Sequence, residues 1–597
     1  MCGIAGWVGC RAGGGAVASV QAALQHRGPD ASGIDRWSGD GWDCTLIHTR
    51  LAINDLSEAA NQPLVNEDDS LALVFNGEIY NSPELRRYCE SRGHRFRSHS
   101  DGEVIVHLWE DHGLDALSRL NGIFALALLD RRAGRLVLAR DPVGVKPLFW
   151  TERDGRVWFA SELRALQTAG APVGGPDPTA LAQFLTFLWI PDPRTPFTNA
   201  HSLLPGEALV WQGGLMEQRM YRSLVVEAAG QATISVTTAS SEVAERVQTA
   251  VQRQLLSDVP VGLMASGGVD SSLLWWAAEG RLDRAYTIDW SGDRSFERLN
   301  EDTAAVGRLE GHFATPVSYV PGTDVDVEEL PASGDLLADP AADLARLIAS
   351  RAAADGFKVL LSGQGGDELF GGYRRHVVGP TAARMRLGRP GEVAASLLAR
   401  TGAGGTQVEY LARLLRAGAQ SDPLSSYMVL SSYSNAPERA SVLDCTATEV
   451  ADEVVWQRHR EAFEASPVGW SLLRRLRAVD LTVYLPGLGL AYSDRSGMHH
   501  SVEVRVPWLD LDLIGWALTL PGEALVRGRV GKWLTRKVAL DVLPAEVVSR
   551  PKRGFGAPIN VVKKARGSVG SRGFRQGAYF ALAEGILRRW LAGQAAA

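Results

Sequence analysis

The stretch VGLMASGGVDSS, residues 261–272, indicates the fold of the larger part of the chain. Its first five residues are mostly apolar and too few for a helix, so they predict a buried parallel strand. Residues 266–268 then interrupt the apolar run, and Ser271 begins a helix-length apolar segment. A strand, a glycine turn and a helix start place free backbone N–H groups and the positive end of a helix at one point. That point suits an oxyanion such as phosphate or pyrophosphate.

Asp270 lies within this stretch and would repel a bound phosphate. A divalent cation between the two groups removes the repulsion, so the aspartate predicts Mg²⁺. The stretch matches neither GxxxxGK[ST] nor GxGxxG, which excludes the Walker and Rossmann interpretations. An ordinary strand-to-helix turn is the alternative in a chain with 63 glycines, and the spacing alone leaves both interpretations open.

Composition places the 597-residue chain among globular proteins of at least two domains. A formal net charge of −6 without a dense basic run argues against nucleic acid as a partner. The five cysteines form neither a disulfide framework nor a metal-binding pattern. No apolar stretch reaches the roughly 18 residues of a membrane helix, and the N-terminus lacks the basic region of a secretory signal. We therefore expect a cytoplasmic protein without membrane contact.

Cys2 is the first candidate nucleophile. Removal of Met1 would give this cysteine an α-amino group with a pKa near ~8, which can serve as the base for its own thiol. The alternative is a buried small hydrophobe, the usual fate of a lone cysteine. Its position does not decide between the two.

Five separated motifs carry a resemblance in the first part of the chain. They are MCGIAGWVG (1–9), HRGPD (26–30), RLAINDLS (50–57), FNGEIYN (75–81) and SDGEV (100–104). In this order they resemble the glutaminase domain of class II, N-terminal-nucleophile glutamine amidotransferases. The resemblance implies that Cys2 attacks the glutamine amide and that Asn76 and Gly77 supply oxyanion donors. It assigns glutamine binding to Arg50, Asn76, Gly77, Glu78 and Asp101. Surface charges and an Asn-Gly hairpin turn are the alternatives for these residues.

The second part alternates predicted strands and helices, which indicates a parallel α/β sheet with ligands at the carboxyl ends of its strands. RAYTIDW (284–290) is a predicted strand, 341–354 a predicted helix, and KVLLSGQGGDELFGGY (358–373) a strand with a second glycine turn. Both turns should lie at the same edge, with Asp367 joining Asp270 in holding Mg²⁺. The first turn lies in SGGVDSS (266–272), which resembles the ATP pyrophosphatases, and this resemblance implies that ATP binds to Ala265, Ser266, Gly267, Gly268, Asp270, Ser271, Ile288, Ser362 and Gly363.

SGGVDSS resembles the pyrophosphate loop of the ATP pyrophosphatases, which adenylate a carboxylate or carbonyl. YLPGLGLAYSDRSGMHHSVEVRVPWLD (484–510) and GKWLTRKVALDVLPAEVVSRPKRGFGAPI (531–559) resemble asparagine synthetases. The resemblance implies that Lys532 contacts the phosphates of the acyl-adenylate; a solvated helix lysine is the alternative. Asp494, Arg495 and the charged residues of 503–510 could equally form a structural belt of salt bridges, and they receive no catalytic step.

The chain is thus expected to be an α/β multidomain protein. We predict a glutaminase domain with an N-terminal-nucleophile αββα sandwich at 1–222, a linker at 223–240 and a parallel-sheet ATP-pyrophosphatase domain with extra helices at 241–560. Residues 374–469 should be largely helical, and the role of the tail at 561–597 is not predicted.

The resemblance, over about residues 1–560, is to the glutamine-hydrolysing asparagine synthetases, and it makes a homodimer possible. It implies that ATP activates a carboxylate as an acyl-AMP, with Mg²⁺ and Lys532 on the departing pyrophosphate. Ammonia released at Cys2 then passes internally to the adenylate. The first hypothesis for the acceptor is aspartate. Where well-studied members read SGEG, this chain has Gln364, which cannot serve as a general base.

Two other hypotheses stay open. One is a specialised amide synthase acting on another carboxylate, including ring closure as in β-lactam synthetases and lasso-peptide cyclases. The other is a binding or assembly subunit that has kept the fold without coupled catalysis. The intact Cys2, Asn76, Asp270, Asp367 and Lys532 argue against the last.

Overall fold

The computed structural model describes residues 2–9, 14–39, 41–291, 300–322, 335–400, 406–550 and 575–596. Residues 551–559 of the motif at 531–559 lie outside the described residues. No described helix is long and apolar enough to cross a membrane.

Two six-stranded antiparallel sheets pack face to face in the first part of the chain. Ile4 and Leu46 of one sheet and Val74 and Leu138 of the other are fully buried between them. Successive side chains of a strand point to opposite faces, so the outer faces also need a cover. In order across the first sheet, the strands are His201–Ser202, Phe149–Arg153, Arg156–Ala160, Gly3–Val8, Trp42–Arg50 and Ala31–Gly39. In order across the second sheet, they are Leu215–Met220, Glu207–Gln212, Arg135–Arg140, Gly122–Asp130, Leu71–Ile79 and Leu64–Val65.

Helices cover both outer faces of the sandwich. Val17, Val20 and Leu24 pack on the first sheet, and Val104 and Ile105 pack on the second. The helices are Gly14–Leu24, Ser82–Ser91, Glu103–His112, Leu163–Thr168 and Pro178–Phe187, with 3₁₀ segments Glu58–Ala60 and Gly113–Arg119. The four-layer αββα sandwich predicted from the sequence is confirmed.

A five-stranded parallel sheet forms the centre of the second part. Its order is Val317–Pro321, Arg284–Asp289, Val261–Met264, Val359–Leu361 and Glu503–Arg505. The chain winds outward in one direction from Val261–Met264 and then continues on that strand's other side with Val359–Leu361. Such a reversal opens a crevice at the carboxyl ends of the two adjacent strands, where ligands of open α/β sheets bind. Both predicted glycine turns follow these two strands.

Helices cover both faces of this sheet: Leu263 and Val359 are buried against one layer, and Tyr286 and Leu360 against the other. Between the fourth and fifth strands lies the largely helical segment predicted at 374–469. From Leu224 onward the helices are Leu224–Ala229, Val236–Gln254, Val269–Ala277, Asn300–Phe313, Ala341–Ala354, Gly366–Phe370, Arg374–Met385, Gly388–Arg400, Thr406–Ala419, Pro423–Ser431, Ala436–Leu443, Asp452–Val455, Gln457–Ala465, Leu472–Val479, Ala491–Met498, Leu511–Leu518, Gly522–Leu525, Trp533–Val542, Ala545–Val548 and Arg575–Ala596. The π-helix Asp480–Leu490, the 3₁₀ turn Pro507–Leu509 and the hairpin Val526–Arg527/Val530–Gly531 complete the described elements.

Two local differences from the sequence interpretation have clear causes. The second domain was predicted to begin at residue 241, but the helix that leads into it begins at Val236, because the Ser235 side chain accepts a hydrogen bond from the Thr238 N–H and caps it. The segment predicted as a linker therefore holds helix Leu224–Ala229 and the first turn of this helix. The tail forms helix Arg575–Ala596, whose apolar residues join the core around helix Pro178–Phe187 in the first part.

Candidate active sites

Cys2 lies immediately before the strand Gly3–Val8 and is 8% exposed. Its backbone nitrogen donates to Asn76 Oδ1 at 2.9 Å. That nitrogen is a peptide N–H while Met1 is present and becomes the α-amine once Met1 is removed. Burial raises the pKa of the Cys2 thiol. A thiol with a raised pKa needs a base to become a nucleophile, and the adjacent α-amine is in position to be that base.

Asn76 and Gly77 lie within strand Leu71–Ile79, so the hairpin-turn alternative is wrong. Gly77 has φ +149°, and a Cβ there would lie 1.9 Å from the carbonyl oxygen of Ile123. Asn76 is fully buried, and its side-chain nitrogen has no hydrogen-bond partner among the described residues. A buried donor without a partner next to the thiol can stabilise an oxyanion formed there.

Glu78 and Asp101 form a buried carboxylate pair beside this strand. Asp101 Oδ2 accepts a hydrogen bond from the Ile79 N–H at 2.6 Å. Burial raises the pKa of Asp101 to about 6, and burial together with repulsion from Asp101 raises the pKa of Glu78 well above its usual range. Such a pair gains from a positive group, which the α-ammonium of glutamine would supply.

Arg50 ends the neighbouring strand Trp42–Arg50 and is 6% exposed. Its guanidinium donates to the carbonyl of Ser57 at 2.8 Å and to Asn61 Oδ1 at 2.7 Å, and also bonds the carbonyl of Asp55. These bonds hold the loop 55–61. The structure thus brings Cys2 and Asn76 together, whereas Arg50 is bound to this loop.

The pyrophosphate-loop candidate lies between strand Val261–Met264 and helix Val269–Ala277. The Ser266 N–H donates to Ser271 Oγ at 3.2 Å, and Gly267 has φ +66°, a conformation that favours glycine. A Cβ on Gly363 would lie 3.1 Å from the Ser271 nitrogen, so the two glycine turns touch. Ile288 lies in the next strand of the sheet. The predicted ATP-binding residues therefore gather at one edge.

Lys532 is 4% exposed and has φ +57°, a backbone conformation that is uncommon for a residue with a side chain. Its ammonium contacts Asp367 Oδ1 at 2.5 Å and also pairs with Asp270. Burial alone would lower the pKa of Lys532, but attraction to the two carboxylates outweighs it and raises that pKa. The solvated-lysine alternative is wrong for this structure.

The two carboxylates fit the predicted Mg²⁺. They are hard oxygen donors that already share one cation, and each faces a glycine. A Cβ on Gly372 would lie 1.9 Å from Asp367 Oδ1, and one on Gly366 would lie 2.8 Å from Asp270 Cγ. Only glycine leaves the space around these oxygens clear.

Arg550 is a residue of this site that the sequence reasoning missed. Its Nη1 donates to the carbonyl of Gly267 at 3.2 Å, and it pairs with Asp302. It fixes the conformation of the pyrophosphate loop from outside. The sequence signal that could have identified Arg550 is its position within the 531–559 motif, directly before Pro551.

Gln364 lies in the second glycine turn, between strand Val359–Leu361 and helix Gly366–Phe370. Its Oε1 is buried without a hydrogen-bond partner among the described residues. A free amide oxygen can accept a hydrogen bond from an amine but cannot take its proton. Four residues later, burial and then repulsion from Asp367 raise the pKa of Glu368 to about 7.

Comparison with known proteins agrees with this geometry. A family model described as a glutamine amidotransferase domain matches residues 1–222, and one described as asparagine synthase matches residues 242–570. The chain belongs to the asparagine synthetase family. It is an ATP-dependent, glutamine-hydrolysing carbon–nitrogen ligase, with ATP as a substrate.

Three relatives illustrate the range of similarity to this asparagine synthetase family member. The glutamine-hydrolysing asparagine synthetase 1 of Bacillus subtilis is 30% identical, covering 90% of this chain and 83% of the relative. A putative asparagine synthetase of Mycobacterium bovis is 31% identical, covering 94% and 88%. Asparagine synthetase 3 of Arabidopsis thaliana is 33% identical, covering 62% and 61%. Among solved structures, the B. subtilis glutamine PRPP amidotransferase has a TM-score of 0.28 and 18% identity, covering 53% of this chain and 65% of that one.

Buried charges connect the two halves of this synthetase. Arg27 donates to the Cys2 carbonyl at 3.2 Å and to Glu162 at 3.1 Å, and its Nη2 lies 2.9 Å from Asp494 Oδ2 in the second half. The belt of salt bridges left open for 484–510 is therefore present.

A second connection runs through Arg505, which lies 2.5 Å from Glu503 and 3.4 Å from Glu78 of the glutamine site. Burial opposes ionisation of Glu503, but neighbouring positive charges, Arg505 and Lys146 among them, lower the pKa of Glu503 to about 2. Lys146 is fully buried, and its ammonium has no hydrogen-bond partner among the described residues. The sequence reasoning gave no role to Lys146.

Proposed function

We propose that this ligase makes asparagine from aspartate, converting ATP, L-aspartate, L-glutamine and water to AMP, pyrophosphate, L-asparagine and L-glutamate, with the water consumed in hydrolysing the Cys2 thioester to glutamate. The observation that supports it most directly is the Lys532–Asp270–Asp367 cluster at a glycine-rich strand end, in the same chain as a Cys2–Asn76 nucleophile site. The names of the relatives supply aspartate as the acceptor.

In the first half-reaction, Cys2 attacks the glutamine amide carbon while its α-amine takes the thiol proton. Asn76 Nδ2 and the Gly77 N–H donate to the developing oxyanion. Glu78 and Asp101 hold the α-ammonium of glutamine. We propose Arg50 as the partner of its α-carboxylate, in competition with the loop carbonyls that Arg50 now bonds.

In the second half-reaction, the serines and backbone N–H groups of residues 265–271, together with Ser362 and Gly363, bind the triphosphate of ATP, and Ile288 contacts the adenine. Lys532 neutralises charge on the departing pyrophosphate. Asp270 and Asp367 would hold Mg²⁺, which supplies further charge neutralisation when bound. Ammonia from Cys2 then attacks the acyl-adenylate, and Glu368, with a pKa of about 7, is the carboxyl we propose to take the proton.

A second candidate is a specialised amide synthase acting on a different carboxylate. The observation that favours it is Gln364, an amide at the position where well-studied family members have a glutamate. A small cavity of about 80 Å³ lies near this site. Tyr484 lines it and packs edge-on against Tyr373, which donates to Glu368 at 2.6 Å.

The test measures pyrophosphate release with ATP, Mg²⁺ and glutamine, with and without aspartate, and asparagine in the same samples. Aspartate-dependent pyrophosphate with matching asparagine supports the first candidate. Glutaminase activity without aspartate-dependent pyrophosphate contradicts it and favours the second. Gln364→Glu is the matched variant. If the wild type does not use aspartate and this variant does, Gln364 is the residue that prevents the use of aspartate.

Removal of Mg²⁺ by a chelator should stop pyrophosphate release and leave glutamine hydrolysis intact.

We also propose that the protein is cytoplasmic and forms a homodimer. Light scattering on the purified protein tests the homodimer.

A further inference from the structure

Four potential metal ligands converge on the surface of the glutaminase sandwich, outside the residues assigned to glutamine and ATP. Glu67 lies in the turn after strand Leu64–Val65, and His94 lies between two helices. His107 and Glu110 lie three positions apart on helix Glu103–His112 and share a face. One ligand atom from each lies within 4.8 Å of all the others.

Four separations in the cluster are close to the edge length of a tetrahedral metal site. Glu110 Oε2 lies 3.4 Å from Nδ1 of both His94 and His107, while Glu67 Oε1 lies 3.7 Å from His94 Nδ1 and Glu67 Oε2 lies 3.4 Å from His107 Nδ1. Four N and O ligands at Zn²⁺ bonding distance lie about 3.4 Å apart. A direct N–H···O hydrogen bond is about 2.9 Å long, so the groups are spaced for an ion between them more than for bonds to one another.

Both histidines turn Nδ1 into the cluster and Nε2 toward a further carboxylate. His94 Nε2 lies 3.4 Å from Asp111 Oδ2, and His107 Nε2 lies 3.7 Å from Glu103 Oε1. Metal-bound imidazoles almost always direct their second nitrogen to such an outer carboxylate or carbonyl, which fixes the tautomer and ring orientation. The buried His107, 1% exposed, is oriented in this way by its own helix.

The two carboxylates of the cluster are also held from outside. Asn66 Nδ2 donates to Glu110 Oε1 at 2.9 Å, and the Arg95 N–H donates to Glu67 Oε1 at 2.7 Å. Glu110 therefore has one oxygen fixed by a donor and the other turned to the histidines. Glu67 Oε1 both accepts the Arg95 bond and faces His94, and its Oε2 faces His107. The carboxylate positions thus do not depend on the imidazoles alone.

We propose that Glu67, His94, His107 and Glu110 bind one Zn²⁺ in a closed tetrahedral site. Two neutral imidazoles and two carboxylates around Zn²⁺ leave no net charge, which relieves repulsion among the four acidic groups there. Four protein ligands leave no position for a reacting water, so the site is structural. It ties the turn after Leu64–Val65 and the segment 92–102, which contains Asp101, to helix Glu103–His112.

The alternative is a metal-free cluster in which protonated histidines pair with the carboxylates. The zinc site and the metal-free cluster differ in whether the protein retains metal. The test therefore exposes purified full-length protein to Zn²⁺, dialyses it and measures the retained zinc by mass spectrometry. We expect one zinc per chain, and a tetrahedral visible absorption band when Co²⁺ replaces it. Wild-type protein that retains no zinc and gives no such band overturns the proposal.

Variants locate the site. His94→Gln/His107→Gln should lose the zinc, whereas His112→Gln, on the same helix but hydrogen-bonded to Tyr88, should keep it. Equal zinc content in the double variant and in wild type overturns the proposal. If the double variant does not fold, the wild type answers the question: stripping its metal should lower Tm, and added Zn²⁺ should restore it. A Tm that does not respond to stripping and re-addition contradicts a structural role.

Discussion

At the scale of single residues, Cys2 is the test of the two-site arrangement. Replacing it with alanine removes the thiol and leaves the Asn76 contact of its backbone nitrogen in place. We expect Cys2→Ala to abolish glutamine-dependent amide formation and to leave the reaction with added ammonia near the wild-type rate. Assays with each nitrogen source check this. Loss of both reactions would contradict a separate ammonia-using site.

Asp101 should give the glutamine site a pH dependence. Its pKa of about 6 is raised above the unfolded value of about 3.9, so its contribution to stability is present below about pH 4 and is lost as the pH rises through 6. Binding has the opposite sign, because only the ionised carboxylate attracts the α-ammonium. We expect kcat/KM for glutamine to fall below about pH 6, and kcat to fall less because bound substrate lowers the pKa. A kcat/KM that stays constant to about pH 5 would contradict this.

The position of residues in the candidate sites was predictable where chemistry restricts the choice, and their catalytic roles stay predictions. The thiol at position 2, the paired aspartates and Lys532 were all identified from motifs, and the structure places Lys532 against both aspartates. The bonds of Arg50 to loop carbonyls and the role of Arg550 were not, because a sequence does not show which backbone carbonyls lie near a guanidinium.

At the scale of elements, Gly77 determines whether strand Leu71–Ile79 can pair with its neighbour. Gly77→Ala places a Cβ 1.9 Å from the Ile123 carbonyl in the adjacent strand. We expect it to lower the free energy of unfolding by about 3 kcal/mol and to reduce glutaminase activity. Denaturant unfolding measures the first effect. Gly311→Ala, on helix Asn300–Phe313 with no atom within 4 Å of its Cβ, is the control and should stabilise by up to about 1 kcal/mol.

Periodicity predicted elements better than boundaries. Helix Ala341–Ala354 and strand Arg284–Asp289 lie where the pattern of apolar residues placed them. The start of helix Val236–Gln254 was missed because its cap is a single serine. The π-helix Asp480–Leu490 could not be anticipated, since its extra residue per turn is stabilised by tertiary contacts such as those of Asp480 with Arg375 and His376.

At the scale of the whole molecule, the Arg27–Asp494 pair should couple the two activities. The side chains are 0% and 3% exposed, so breaking the pair leaves the buried charge of Arg27 with Glu162 but without its acidic partner in the second half. We expect Asp494→Asn to cost about 3 kcal/mol of stability and to raise the ratio of glutamate to pyrophosphate produced. Quantifying both products checks this. Asp512→Asn breaks the largely exposed pair with Arg253 and should leave the ratio unchanged; an unchanged ratio in Asp494→Asn would contradict coupling.

Domain order and the two chemistries were predictable because each half carries its own motifs. The way in which the halves meet was not, because Arg27 and Asp494 are far apart in sequence and neither motif indicates the other as its partner. The packing of helix Arg575–Ala596 on the first half was unpredictable for the same reason.

The position of Arg27 also bears on how such enzymes can diverge or be recombined. One guanidinium contacts the nucleophile's carbonyl, Glu162 in its own half and Asp494 in the other. A chimera that joins this glutaminase half to the synthetase half of a relative needs an acidic residue at the position of Asp494. Without it, Arg27 keeps its contact with Glu162 but loses its acidic partner across the interface, beside the cysteine that the new partner was meant to use. The two halves therefore have to be inherited, and engineered, as a matched pair.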